Sequence, residues 1–178
     1  MDRSELQALQ APLKTKYKDD SEAGLVTLRA GGELDGDAVS CSVQTGRALV
    51  EAGLHPASGG AGDLACSGDM LLEALVACAG VTLRSVAVNR DIPVAGGRVT
   101  AEGDLDFRGT MAVDRDAPVG FRAIRLRFEL EGQITEEELG TLIEATERYC
   151  VVYQTLANAI PLSVSHTLAS GGAASLQE

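Results

Sequence analysis

The spacing of apolar residues changes several times along the chain, and each change marks an element. Ile124, Leu126, Phe128 and Leu130 alternate with Arg125, Arg127 and Glu129, the two-residue period of a strand with one buried face. Val99, Ala101, Gly103, Leu105 and Phe107 alternate in the same way. Residues 99–107 and 124–130 therefore read as half-buried antiparallel strands, joined by a charged excursion over 108–120. Upstream, residues 25–30 and 38–43 read as a hairpin turned through Gly31, Gly32, Asp35 and Gly36, with a third short strand over 48–51. The loop 55–62 follows, where Pro56, Gly59, Gly60 and Gly62 forbid regular structure.

Two stretches carry helical patterns. Ser67 offers an N-cap and Asp69 a negative charge in the first turn of a helix running to about Asn89. Apolar residues go nearly all the way round it, so it must be enclosed on most sides, in a core or between subunits. Its length raises the question of a membrane span, but Glu73, Arg84 and Ser85 interrupt it and a buried globular helix fits better. Thr135, Glu136, Glu137 and Glu138 form a capping box and acidic first turn, opening a second long helix through Leu139, Leu142, Ile143, Thr146, Tyr149 and Cys150 to Asn158. Pro161 ends it, and Leu162, Val164 and His166 alternate as a final strand.

At the N-terminal end, residues 1–23 read as a short helix opened by Ser4-Glu5-Leu6-Gln7, then Pro12 and a polar linker. Residues 169–178, small, Gly-rich and polar, read as a disordered tail. The order strands, helix, strands, helix, strand lacks both a βαβ rhythm and an internal repeat. It predicts one α+β domain over 24–168.

Composition narrows the function classes. A chain of 178 residues suits a single domain with a real core. With three Phe, three Tyr and no Trp, that core is aliphatic. The net charge of −11 argues against nucleic acid, which needs clustered Lys and Arg. The first ten residues show no export signal. Four cysteines, none in a C-x-x-C pair, suit neither a disulfide-stapled module nor a zinc cluster. Reduced thiols in the cytoplasm are expected.

Among chemistry-bearing residues, His55 in its loop and His166 near the chain end read as surface histidines, and no Ser-His-Asp arrangement can be drawn. Gly59-Gly60-Ala61-Gly62 lacks the lysine of a phosphate-binding loop and reads as a flexible connection. Cysteine remains. Cys41 falls on a strand, Cys66 just before a helix, and Cys78 and Cys150 each inside a long helix. Taken singly, each is a small buried hydrophobe. A reactive cysteine must ionise, and an aliphatic helix interior opposes that, so Cys78 would need an arginine from elsewhere. Arg47 and Arg29 on the early strands are the candidates, since Arg84, six residues along the same helix, points away.

Two segments carry a resemblance. Residues 69–78, with Asp69 and Cys78, and residues 147–156, with Glu147-Arg148-Tyr149-Cys150, resemble the two cysteine helices of the OsmC/Ohr family of osmotically induced and organic hydroperoxide resistance proteins. Ile92-Pro93-Val94 and the strand from Phe121 to Leu130 are similar too, so the likeness spans roughly 25–168. It implies an intertwined homodimer in which an antiparallel sheet wraps around two central helices. By that resemblance Cys78 is peroxidatic and Cys150 resolving, Arg47 activates the thiolate, with Arg29 second, and Asp69 stands where the family places a glutamate. The implied partners are a small hydroperoxide, a dithiol reductant and a second copy of the chain, with neither nucleic acid nor membrane, and no metal or organic cofactor is implied. Where the family has Pro and then a small residue after the second cysteine, this chain has Val151 and Tyr153, which predicts a Cys150 buried mid-helix and less activated. Cys66, near the first helix start, is a candidate alternative resolving thiol. A second reading keeps the fold and makes the protein a catalytically inactive dimer that binds a small apolar ligand.

Overall fold

The computed structural model describes residues 2–19, 31–34, 40–44 and 49–167. The first helix, α1 (Arg3–Asp19), is longer than its capping pattern predicts and starts earlier. Asp2 caps it: the Glu5 amide donates to Asp2 Oδ1 at 2.8 Å and the Asp2 amide to Glu5 Oε2 at 2.9 Å. The reciprocal pair thus sits two residues before the Ser4 pattern. The helix continues past Pro12 into the stretch expected to be linker. Lys, Leu and Gln are good helix formers, α1 packs against the long helix α2 (Ser67–Asn89), and Arg3 pairs with Asp91 just beyond that helix's end.

Strands β1 (Gly31–Leu34), β2 (Ser40–Gln44), β3 (Leu49–Gly53) and β4 (Ala65–Cys66) form one sheet in chain order. The first two junctions are antiparallel and β3 to β4 is parallel. The predicted hairpin exists, but its first strand lies on Gly31–Leu34, residues read as the turn. Glycine tolerates a turn and a strand alike, and pairing with β2, a tertiary contact, decides. The strand expected over 25–30 lies outside the described residues, as does the tail after residue 167.

Parallel pairing of β4 holds Cys66 extended, with φ −83° and ψ 128°, so Cys66 and not Ser67 is the N-cap of α2. Asp69 falls in the first turn as expected. Leu75, Ala79, Leu83 and Ala87 recur every fourth residue and form the buried stripe. The C-terminal half of that stripe meets Ile92, Val94 and Leu142; the N-terminal half meets Cys150 under Ala101, Ile124 and Leu126. Fully burying a side chain such as Leu75 or Leu142 contributes ~1.5–3 kcal/mol. Val81, on another face of α2, is 72% exposed.

The second sheet pairs β5 (Val94–Asp104) with β6 (Ala123–Gly132) antiparallel, Val99 facing Phe128 and Ala101 facing Leu126. The alternation predicted both strands, but β5 starts and ends earlier than its pattern. Phe107 leaves the strand because Asp106 caps a single helical turn, α3 (Phe107–Thr110), taking the Arg108 amide at 3.1 Å and its guanidinium at 2.7 Å. Among the described residues the strands thus form two sheets where a single antiparallel one was expected.

The capping box at Thr135 is present and opens α4 (Glu136–Tyr149). The predicted single helix to Asn158 is instead two. Cys150, at φ −73° and ψ 110°, ends α4 and starts α5 (Val151–Ala157). The Gln154 side-chain amide donates to the Glu147 carbonyl at 2.8 Å, satisfying one acceptor the break leaves without a helical partner. Residues 161–167, expected as a final strand, pair with no strand among the described residues, and Leu162 and Val164 are 87% and 95% exposed.

Candidate active site

Cys78 sits on α2 between the buried Leu75 and Ala79, at the margin of the core stripe, and is half-buried. Cys150, wholly buried, belongs to the same cluster. Packing of α5 against α2 brings the two thiols close enough to influence each other's ionisation.

The break at Cys150 supplies the electrostatics. As N-cap of α5, the Cys150 sulfur accepts the Tyr153 amide at 3.5 Å. The two preceding amides of that first turn, on Val151 and Val152, have no carbonyl partner within α5 and favour a negative charge on Cys78. Burial pushes the Cys78 thiol up, but the Val152 amide, the Cys150 thiol, the Val151 amide and the Thr82 hydroxyl together outweigh it and hold Cys78 below the ordinary thiol value. For Cys150, burial raises the thiol, and its proton is further held by donation to Cys78, against the opposing Tyr153 amide. The pair is polarised. Their surroundings thus favour the thiolate at Cys78 over that at Cys150.

This geometry corrects the expectation of a mid-helix Cys150: a fresh helical turn begins there without a proline. Of the other predicted residues, Asp69 lies nine positions before Cys78, roughly 13 Å along α2 and on its opposite side at ~100° per residue. Asp69 lines a separate cleft with His55, Cys66, Phe107 and Phe121. Cys66 is about 18 Å along the helix axis from Cys78 and so is not brought to the pair. Arg47 and Arg29 lie outside the described residues, and Arg84 is engaged by the Val94 carbonyl at 2.6 Å. Among the described residues no guanidinium contributes to the charge around Cys78. His55 is not a free surface residue: its Nδ1 accepts the Ala57 amide at 3.0 Å and its ring stacks on Phe107 at 4.9 Å. His166 is exposed, and nothing is described of the Cys41 side chain.

Two cavities lie beside neighbours of the pair, and neither cysteine lines them. One, of about 330 Å³, is lined by Leu75, Phe121, Ile124, Leu126, Tyr153 and Leu156, an apolar cleft against the Cys150 cluster. Phe121, which lines it, lies over Gly103, where a β-carbon would collide with the ring. The other, of about 530 Å³, lies between α1, α2 and α4 and is walled by Lys14, Thr82, Ser85, Arg90 and Tyr149. Among the described residues no cluster of His, Cys, Asp and Glu is arranged to hold a metal ion. Sequence reasoning missed Thr82 and the Val151 and Val152 amides. Thr82 had a signal, a hydroxyl one turn beyond Cys78 in an apolar helix; the amides had none, because Val151 stands where a proline would have marked a helix start.

Residues 60–165 match the family described as OsmC-like protein. Among solved structures, an OsmC-like protein from Mycoplasma pneumoniae is 19% identical, with a TM-score of 0.62 over 74% of this chain and 88% of that one. An organic hydroperoxide resistance protein OsmC from Legionella pneumophila is 19% identical, with a TM-score of 0.58 over 74% and 90%. One from Elizabethkingia anophelis is 22% identical, with a TM-score of 0.59 over 73% and 87%. At these identities the likeness is one of fold. Among curated proteins no sequence matches.

Proposed function

Because this chain belongs to the OsmC-like protein family, and because its two helix-borne cysteines form a polarised pair, we propose that it is a thiol-dependent hydroperoxide reductase. The observation that carries the proposal is the meeting of two helix-borne thiols, half-buried Cys78 on α2 and buried Cys150 at the start of α5, in one cluster. The direction of their ionisation supports it, with Cys78 held below the ordinary thiol value and Cys150 above it. In the proposed cycle the Cys78 thiolate attacks the terminal oxygen of a hydroperoxide. The O–O bond breaks, the alkoxide leaves and takes a proton as the alcohol, and Cys78 becomes a sulfenic acid. The Cys150 sulfur then attacks that sulfur, the S–O bond breaks, water leaves, and a disulfide forms, which an external dithiol reduces by exchange. The apolar cleft along Leu75, Leu126 and Tyr153 favours organic hydroperoxides over hydrogen peroxide.

The proposal includes a homodimer. The uncovered face of α2 around Val81 and the exposed apolar residues Ile160, Leu162 and Val164 support it, since apolar surface of this kind is stabilised by covering. The activity is tested by thiol titration of the reduced protein in a single turnover with cumene hydroperoxide and with hydrogen peroxide. Two thiols are expected to be lost rapidly, none rapidly in Cys78→Ser, and one, trapped as sulfenic acid, in Cys150→Ser. Thiols that persist, or that disappear equally fast without Cys78, would leave an inert apolar-ligand binder of the same fold.

A further inference from the structure

Thr82 stands one turn beyond Cys78 on α2 and is half-buried. At that spacing its side chain shares a face with Cys78, and its hydroxyl is among the groups that favour the Cys78 thiolate. A threonine inside a helix commonly turns its hydroxyl back to the carbonyl one turn earlier, as Thr146 does toward Leu142 at 2.7 Å. Among the described residues Thr82 makes no such bond to the Cys78 carbonyl, so its hydroxyl is available to the side chain one turn earlier. Burial does not dictate its partner, because Thr82 also forms part of the wall of the cavity between α1, α2 and α4, where water can satisfy a hydroxyl.

We propose that Thr82 is a positioning residue for Cys78, donating a hydrogen bond from α2 while Val151 and Val152 donate from α5, so that two helices fix the sulfur facing Cys150. This rests on the reading of Cys78 as the attacking thiolate. The titratable groups around it are Cys150 at the α4–α5 junction, Tyr153 on α5, and Lys14, Arg90 and Tyr149 across the cavity. Strands β5 and β6 contribute the apolar Ala101, Ile124, Leu126 and Phe128.

The test is the rate of alkylation by iodoacetamide as a function of pH, followed at the Cys78 peptide by mass spectrometry, for wild type, Thr82→Val, Thr82→Ala and Thr82→Ser. Loss of the hydroxyl is expected to slow alkylation at neutral pH about tenfold in the Val and Ala variants, as one lost hydrogen bond to a charged atom implies. Their profiles move to higher pH, and Thr82→Ser restores the wild-type curve. Profiles that coincide in all four proteins overturn the proposal, and so does a Ser variant shifted like Val and Ala, which would make the methyl group and its packing responsible. Alkylation needs no peroxide, so a protein that failed to consume hydroperoxide would end the reductase reading without altering this result.

Discussion

Two of the groups that favour the Cys78 thiolate are main-chain amides, on Val151 and Val152, and among ordinary substitutions proline alone deletes an amide. Position 151 is where that substitution is informative. It is the first residue of α5, a position that accepts proline, and Cys150 already has the extended backbone a residue before proline prefers. Val151→Pro is expected to keep the fold, with stability unchanged or raised by up to ~1 kcal/mol in urea denaturation. Yet it removes one donor to the thiolate. With fewer donors Cys78 ionises at higher pH, so its alkylation profile moves upward; equal reactivity in the two proteins would exclude the Val151 amide from the site. The cysteines themselves were legible, because thiols in helical segments resembling a cysteine-helix family are chemically conspicuous. The amides were not, since their direction depends on the backbone angles at Cys150.

At the level of elements, what was legible depended on whether a signal was local. The capping box at Thr135 is self-contained: its hydroxyl accepts the Glu138 amide at 3.2 Å and Glu138 Oε2 takes the Thr135 amide at 2.8 Å. Thr135→Ala is expected to cost about 1 kcal/mol in urea denaturation. The Thr135 amide, then its hydroxyl, holds Glu138 below the ordinary carboxylate range. A carboxylate depressed on folding contributes stability above its unfolded value and loses it as pH falls through the folded one. The difference between wild type and Thr135→Ala should therefore shrink in acid. Strand ends were less legible: β1 fell on glycines read as a turn, and Phe107 was drawn out of β5 by the Asp106 cap. In each case a partner distant in sequence, or a competing cap, decided.

For the whole molecule, the stripe from Leu75 to Ala87 is covered by this chain, whereas Val81 and the segment from Ile160 to Val164 are not. The alternation of Leu162, Val164 and His166 was read as a strand, and a single chain offers it no pairing among the described residues. If a second copy covers these surfaces, Val81→Glu buries a charge in the interface and should convert dimer to monomer by light scattering at matched concentration. A wild type already monomeric at high concentration would remove the dimer from the proposal. The Cys150 sulfur brings a further consequence, because one atom serves as both helix cap and redox partner. In the proposed cycle, disulfide formation replaces a capping thiol by a weaker acceptor, so oxidation and the seating of α5 become thermodynamically linked. A ligand in the Tyr153 cleft that holds α5 in place would favour the dithiol, and by reciprocity reduction would tighten the cleft around that ligand.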